Sequence, residues 1–243
     1  MLRGMKILSK KNKHVISFTC EEDRLSYFPK PVPASKVLPE WYKDMPSFTG
    51  NKQVLSESGA NGTIKKCMPV FDMATTGYMI LLPCDVIVGK NPDGTAHFAW
   101  SIQHKMITDH PMEQIETFKI SNEFLKQPLK WTNPWIITTP KGWSTMFVQP
   151  THRDDLPFQI LPAIVDTDEF SISVQFPFFI KKDFEGVIPA NTPIAQIIPF
   201  KRENWESKFE VLPDGERIKR LEKHSIYLHN RYKRTSWKKK SYK

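Results

Sequence analysis

The sequence predicts a mainly β protein, a distorted barrel or sandwich with short helices near residues 35–43 and 215–230. Five β-rich runs follow one another from Asn133 to Phe200, each bounded by Pro, Gly or Asp. Twenty prolines against ten glycines break the backbone often, which suits short strands and disfavours long helices. No Gly-x-Gly-x-x-Gly, no P-loop and no alternation of strands with helices is present, so a parallel nucleotide-binding sheet is not expected.

In chain order, His14–Cys20 reads as a first strand and Glu21–Asp23 as an acidic turn. Residues 29–46 are dense in proline; Pro31 and Pro33 force extended geometry, and Ser35 is placed to cap a short helix carrying Leu38, Trp41 and Tyr42. This segment is expected to wrap the body and pin itself through its aromatics. Residues 47–62 read as a loop. From Thr63 the chain becomes strand-like, first through Phe71, then from Tyr78 to Gly89. Asn91–Gly94 marks a hairpin turn before a further strand at 95–102. Residues 105–133 are poorly patterned, although 115–124 alternates as a strand would. After the five runs, a turn at Pro213–Gly215 leads to a short amphipathic helix carrying Ile218, Leu221, Ile226 and Leu228 and lying on the body, and then to a solvated basic extension. This divides the chain into an arm (1–62), a β-rich core (63–203) and a helix with tail (204–243).

Apolar residues make up 40% of the chain, enough to bury a core and too many for a disordered protein. The net charge of +9 is local: residues 216–243 hold eleven Lys or Arg against Glu216 and Glu222, so the first 215 residues are neutral. Such a distribution argues against a nucleic-acid surface spread over the fold and for one cationic appendage. Cys20, Cys67 and Cys84 are odd in number and far apart, which supports free thiols rather than a disulfide framework or a zinc site. No apolar run approaches the roughly 20 residues needed to cross a bilayer, and none near the N-terminus is long enough for a signal peptide, so a cytoplasmic protein without a membrane partner is expected.

His104, Asp109, His110 and Glu113 could ligate a metal by residue type, but their spacing misses one helical face and Pro111 interrupts them, so loop and hydrogen-bonding roles are expected. The polar run His152–Asp155 falls where a turn is required. No Ser or Cys nucleophile motif is present.

Ala163–Phe170, followed by Ile188–Ile198 with its Ile194-Ala195-Gln196-Ile197, resembles two motifs of the dUTPase and dCTP deaminase superfamily, and Thr75-Thr76-Gly77-Tyr78 lies upstream where that family has a further motif. The resemblance covers about residues 74–200. It implies a β-clip fold, a homo-oligomer that is usually a trimer, and nucleotide sites between subunits. It also implies roles: Asp166 as the aspartate that contacts the sugar hydroxyl and orients water, Gln196 as the glutamine of the conserved strand, and Ser144 loosely as part of the phosphate-binding motif. Phe170 is similar to the aromatic that packs on deoxyribose but lies one residue too far along, with Glu169 at the expected place. Met79 stands where the family has its metal-linked aspartate, and lysines and aromatics replace its Gly-rich C-terminal arm. Triphosphate hydrolysis needs a cation on the phosphates, Mg in such a hydrolase, as well as a base. These departures therefore favour a retained fold without catalysis and without a cofactor, with a nucleotide pyrophosphohydrolase or deaminase as the alternative. Asp166 and Asp168 can equally cap a tight turn through backbone amides.

Pro31–Pro46, Asn133-Pro134-Trp135 and Ile188–Phe200 also resemble an uncharacterised family of tailed-bacteriophage proteins over nearly the whole chain. That resemblance implies an accessory or structural role in host cytoplasm or virion. In the tail, Arg231, Lys233, Arg234, Lys238, Lys239 and Lys240 interleave with Trp237. Cations neutralise phosphates while rings stack on bases, so single-stranded nucleic acid is one expected partner and an acidic protein surface another.

Overall fold

The computed structural model describes residues 14–56, 59–225 and 231–243. Every strand pairing in it is antiparallel, and no sheet closes into a barrel. The organising element is a five-stranded sheet in the order Ala163–Val165, Trp143–Val148, Pro193–Lys201, Tyr78–Leu81 and Val32–Pro33. Its long central strand, Pro193–Lys201, pairs along its whole length between Gln196 and Lys201 with Trp143–Val148, whereas Tyr78–Leu81 accompanies it only as far as Ile197. Pro199 thus falls where the strand has a single neighbour, a position that tolerates a missing N–H.

One face of this sheet, carrying Tyr78, Ile80, Phe147, Ala195 and Ile197, closes over the main core. The other wall comes from the four-stranded sheet Phe158–Ile160, Phe176–Ile180, Leu129–Trp131 and Ile107–Asp109. Trp131 lies fully buried there, stacked on Phe178 at 4.4 Å and edge-on to Phe158 at 5.3 Å. A three-stranded sheet, Gly186–Ile188, Val86–Lys90 and Ala96–Trp100, completes the core with Val86, Val88 and Ile188. The turn at Asn91–Gly94 joins the last two strands as the sequence indicates, closed by the Gly94 N–H on the Asn91 carbonyl at 2.9 Å.

The five runs of the second half all contain strands; the helix Glu216–Ser225 falls within its expected range, and Glu40–Asp44 overlaps the range 35–43 and ends one residue beyond it. Several local expectations are overturned. Residues 63–71 are not a strand: a 3-10 turn, Ile64–Lys66, runs into the helix Met68–Thr75, whose first turn accepts Pro69 because the N–H lost there has no helical partner. Residues 116–124 form loops, and the poorly patterned stretch instead supplies the paired strands Ile107–Asp109 and Leu129–Trp131. Ser35 lies inside the 3-10 turn Ala34–Lys36 and caps nothing; Pro39 starts the helix that follows. Glu22–Leu25 is helical, not a turn. Ile218 and Leu221 are exposed, so the helix Glu216–Ser225 does not lay them on the body; Ile226 and Leu228 lie outside the described residues.

The proline-dense segment is pinned as expected. Tyr42 is buried and stacks on His152, and the Trp41 indole N–H donates to the His152 carbonyl at 3.1 Å. No helix among the described residues is long and apolar enough to cross a membrane.

Candidate functional site

The central strand carries the candidate residues at both of its ends. At the inner end, Gln196 is completely buried. Its amide nitrogen donates to the carbonyls of Met73 at 3.0 Å and Thr76 at 2.8 Å, and its oxygen accepts from the Thr151 N–H at 3.0 Å and the Thr151 hydroxyl at 2.5 Å. Both donors and both acceptor sites are therefore used. The amide ties the C-terminus of the Met68–Thr75 helix to the Thr151 loop across the sheet. Immediately beside it, Gly77 turns the chain with φ +75°, and a Cβ there would stand 1.9 Å from the Ile197 carbonyl oxygen. Only glycine fits this approach. The resemblance at Thr75–Tyr78 and Ile194–Ile198 thus marks a packing unit.

At the outer end, the turn Asp166–Phe170 follows the edge strand. The Glu169 and Phe170 N–H groups donate to the Asp166 carbonyl, at 3.0 and 2.9 Å, which closes the turn. Ser144, buried on the neighbouring strand, donates its hydroxyl to Asp166 Oδ1 at 2.6 Å. Arg202, just past the central strand, reaches back over both carboxylates. Its guanidinium meets Asp168 bidentately at 2.7 and 2.5 Å, lies 3.2 Å from Asp166 Oδ1, and donates to Ser144 Oγ and the Trp143 carbonyl at 3.1 Å each. The Gly142 N–H adds a bond to Asp168 Oδ2 at 2.8 Å. The Asp168 carboxylate is 1% exposed, and the hydrogen bonds from Arg202 hold its pKa at about 2. Beneath the turn, Thr167 bridges Thr139 and Thr145 through hydroxyl contacts of 2.7 Å each, and Thr139 donates to the Trp143 carbonyl at 3.1 Å.

The structure brings Asp166, Asp168 and Ser144 together and leaves Gln196 apart. Ser144 pairs with Phe200 and Val148 with Gln196, so four ladder positions, about 13 Å, separate the two ends. The Phe170 side chain is exposed beyond the turn, and only its backbone N–H, on the Asp166 carbonyl, belongs to the cluster. Nor do the two carboxylates fit a divalent cation: the Arg202 guanidinium occupies the space between them and supplies the positive charge an ion would bring. Sequence reasoning missed Arg202 altogether. The available signal was two aspartates spaced by two residues in a turn beside a strand that ends in Lys201-Arg202.

The other candidates are dispersed. His104 contacts the Thr132 hydroxyl at 3.2 Å and the edge of Phe28, and burial, aided by Arg24, pushes its pKa down. No group of three or more potential ligands converges on a metal site among the described residues. The cysteines are unpaired, Cys84 buried and the other two half-buried.

The basic tail is exposed along most of its length, as expected, but it is anchored to the body through Trp237 and Tyr242. Arg231, Lys233 and Arg234 belong to the short helix Arg231–Thr235, after which the chain returns to the body. The Trp237 indole donates to both oxygens of Asp72 at 2.9 and 3.0 Å, and Lys240 pairs with the same carboxylate. Tyr242 meets Tyr78 edge-on at 5.8 Å, and the Tyr78 hydroxyl donates to the Lys243 carbonyl at 3.3 Å. Trp237 is therefore occupied by Asp72, while Lys238 and Lys239 remain exposed. Between tail and body lies a cavity of about 660 Å³ walled by His14, Tyr78, Trp143, Pro199 and Tyr242, with His14 and Trp143 in ring contact at 4.6 Å. No protein-family model, curated protein or solved structure matches the chain.

Proposed function

We propose that this chain is a non-catalytic accessory or structural protein, of the kind implied by its resemblance to tailed-bacteriophage proteins, in which dUTPase-like motifs serve the fold. One observation carries this reading: the polar groups that would perform the chemistry are engaged by the fold itself, save the outer oxygen of Asp166. Gln196 has no free donor or acceptor, Asp168 is held bidentately, and Asp166 shares its inner oxygen between Ser144 and Arg202. Asp166 keeps its outer oxygen open to water, but turnover of a triphosphate also needs a cation free to meet the phosphates. Here the nearest cation faces the carboxylates themselves.

Incubation with each deoxynucleoside triphosphate and magnesium, read by phosphate, pyrophosphate and ammonia release, tests it. The expected result is turnover indistinguishable from that of Asp166→Ala. Hydrolysis or deamination by the native chain that disappears in Asp166→Ala overturns the proposal.

A further inference from the structure

The face of the five-stranded sheet that closes over the main core continues past it. Directly opposed residues of neighbouring strands point the same way, and so do residues two apart along one strand. Trp143 therefore shares the face of Phe147, and Pro199 and Tyr78 share that of Ile197. At this end of the sheet the opposite wall is the tail. Residues 240–243 line the cavity of about 660 Å³ together with Trp143, Pro199 and residues 14–16, which lead into the strand Ser17–Thr19. That volume suits a small molecule, whose sites span about 300–1,000 Å³.

The lining combines two kinds of surface. Tyr78, Trp143 and Tyr242 present rings, Pro140 and Pro199 present apolar sides, and the His14 ring lies 4.6 Å from that of Trp143. Such walls favour a flat, apolar body. The polar atoms divide by what already engages them. The Thr139 and Tyr78 hydroxyls donate to the Trp143 and Lys243 carbonyls, and Lys240 is paired with Asp72. The His14 imidazole, the Trp143 indole N–H, the Ser241 hydroxyl and the Lys243 ammonium make no hydrogen bond or ion pair among the described residues. Every one of these groups can donate, and no Asp or Glu lines the cavity.

Those spare groups decide the charge of the occupant. An anion that enters a ring-lined space leaves water behind and is met here by donors and an ammonium, whereas a cation would find no carboxylate to receive it. One unpaired ammonium matches one negative charge, which fits a carboxylate better than a polyphosphate. Because one wall belongs to the tail, occupancy and docking are linked: a molecule that binds only the closed arrangement stabilises it. The hold on that wall is Asp72, through Trp237 and Lys240, with Tyr242 against Tyr78.

We propose that this cavity binds a small planar aromatic carboxylate, its rings against Trp143 and Tyr242 and its carboxylate met by Lys243 and Ser241, with the tail as the closing wall. This goes beyond the reading given above and does not depend on it, since binding and turnover are measured separately.

Isothermal titration calorimetry of the full chain with naphthoate and with anthracene carboxylate tests the proposal. Saturable binding at one site per chain is expected. Naphthamide, which keeps the rings and loses the charge, and decalin carboxylate, which keeps the charge and loses the flat rings, should each bind at least about tenfold more weakly. Tyr242→Ala and Lys243→Gln should each weaken naphthoate binding about fivefold or more, with an unchanged circular dichroism spectrum because both residues lie outside every sheet. Saturating naphthoate should slow protease cleavage within residues 231–243, and Asp72→Ala should weaken binding while the body unfolds at nearly the native midpoint. Absence of saturable binding by either acid below about 1 mM overturns the proposal, as does binding indifferent to both Tyr242→Ala and Lys243→Gln. Equal binding of naphthamide overturns the anionic class, and binding that leaves the tail as open to protease as before overturns its role as the closing wall.

Discussion

The two ends of the Pro193–Lys201 strand present the same kinds of group in opposite surroundings. At Gln196 the polar atoms are sealed from water and matched one for one, so each bond lost leaves a partner stranded. Around Arg202 a denser set of charges sits at the rim, where water reaches Arg202 and Asp166 although the Asp168 carboxylate is nearly covered. Number of contacts is therefore a poor guide to their worth: the amide with four bonds should matter more for folding than the guanidinium with five contacts.

The sharpest way to break this contrast is Gly77→Ala, at the sealed end. The added methyl would collide with the Ile197 carbonyl, and the backbone conformation there is left-handed; a loss of about 4 kcal/mol in urea unfolding is expected. A cost under about 1 kcal/mol would show that the sheet yields there. Gln196→Leu should follow at about 3 kcal/mol, since it strands the Thr151 N–H and the Met73 and Thr76 carbonyls in a dry site. Arg202→Met should lower the melting temperature by less than either. Added salt should narrow the gap between native and Arg202→Met, because the Arg202 and Asp166 side chains are partly exposed.

Acid titration separates the ends differently. The Asp168 carboxyl falls from an ordinary 3.8 to about 2 in the folded state, chiefly through Arg202. A depressed carboxyl contributes stability that is complete above 3.8 and lost as pH falls through about 2. Asp168→Asn should flatten the stability profile in that window, whereas Gln196→Leu should shift the whole profile without changing its slope. The smallest effect is expected from Asp72→Ala. It frees Trp237 and Lys240, so protease should cut within residues 231–243 faster, while the midpoint for the body changes by no more than about 0.5 kcal/mol.

What could be read in advance follows the range of the interactions. The second-half strands were legible because β-branched and aromatic runs bounded by Pro and Gly carry their own signal, as in Pro193–Phe200. Met68–Thr75 was not: of its residues only Ala74 is buried, so no helical stripe is written into it. The turn role of Asp166 and Asp168 was visible as an alternative to catalysis, being local. Arg202 was invisible because Asp168 lies 34 residues upstream, and the docking of the tail because Asp72 and Trp237 are 165 residues apart. Basic and aromatic residues at a terminus suggested nucleic acid, whereas the indole meets a carboxylate.

The threonines beneath the Asp166 turn form a chain with a fixed sense. Each hydroxyl owns one proton, and Thr139 commits its own to the Trp143 carbonyl. Thr167 must then give its proton to Thr139, and Thr145 must give its proton to Thr167. A single carbonyl thereby orients three buried hydroxyls in sequence, so replacing Thr139 with valine removes the acceptor that Thr167 points at and leaves the order of the other two undefined, while replacing Thr145 removes only the first link.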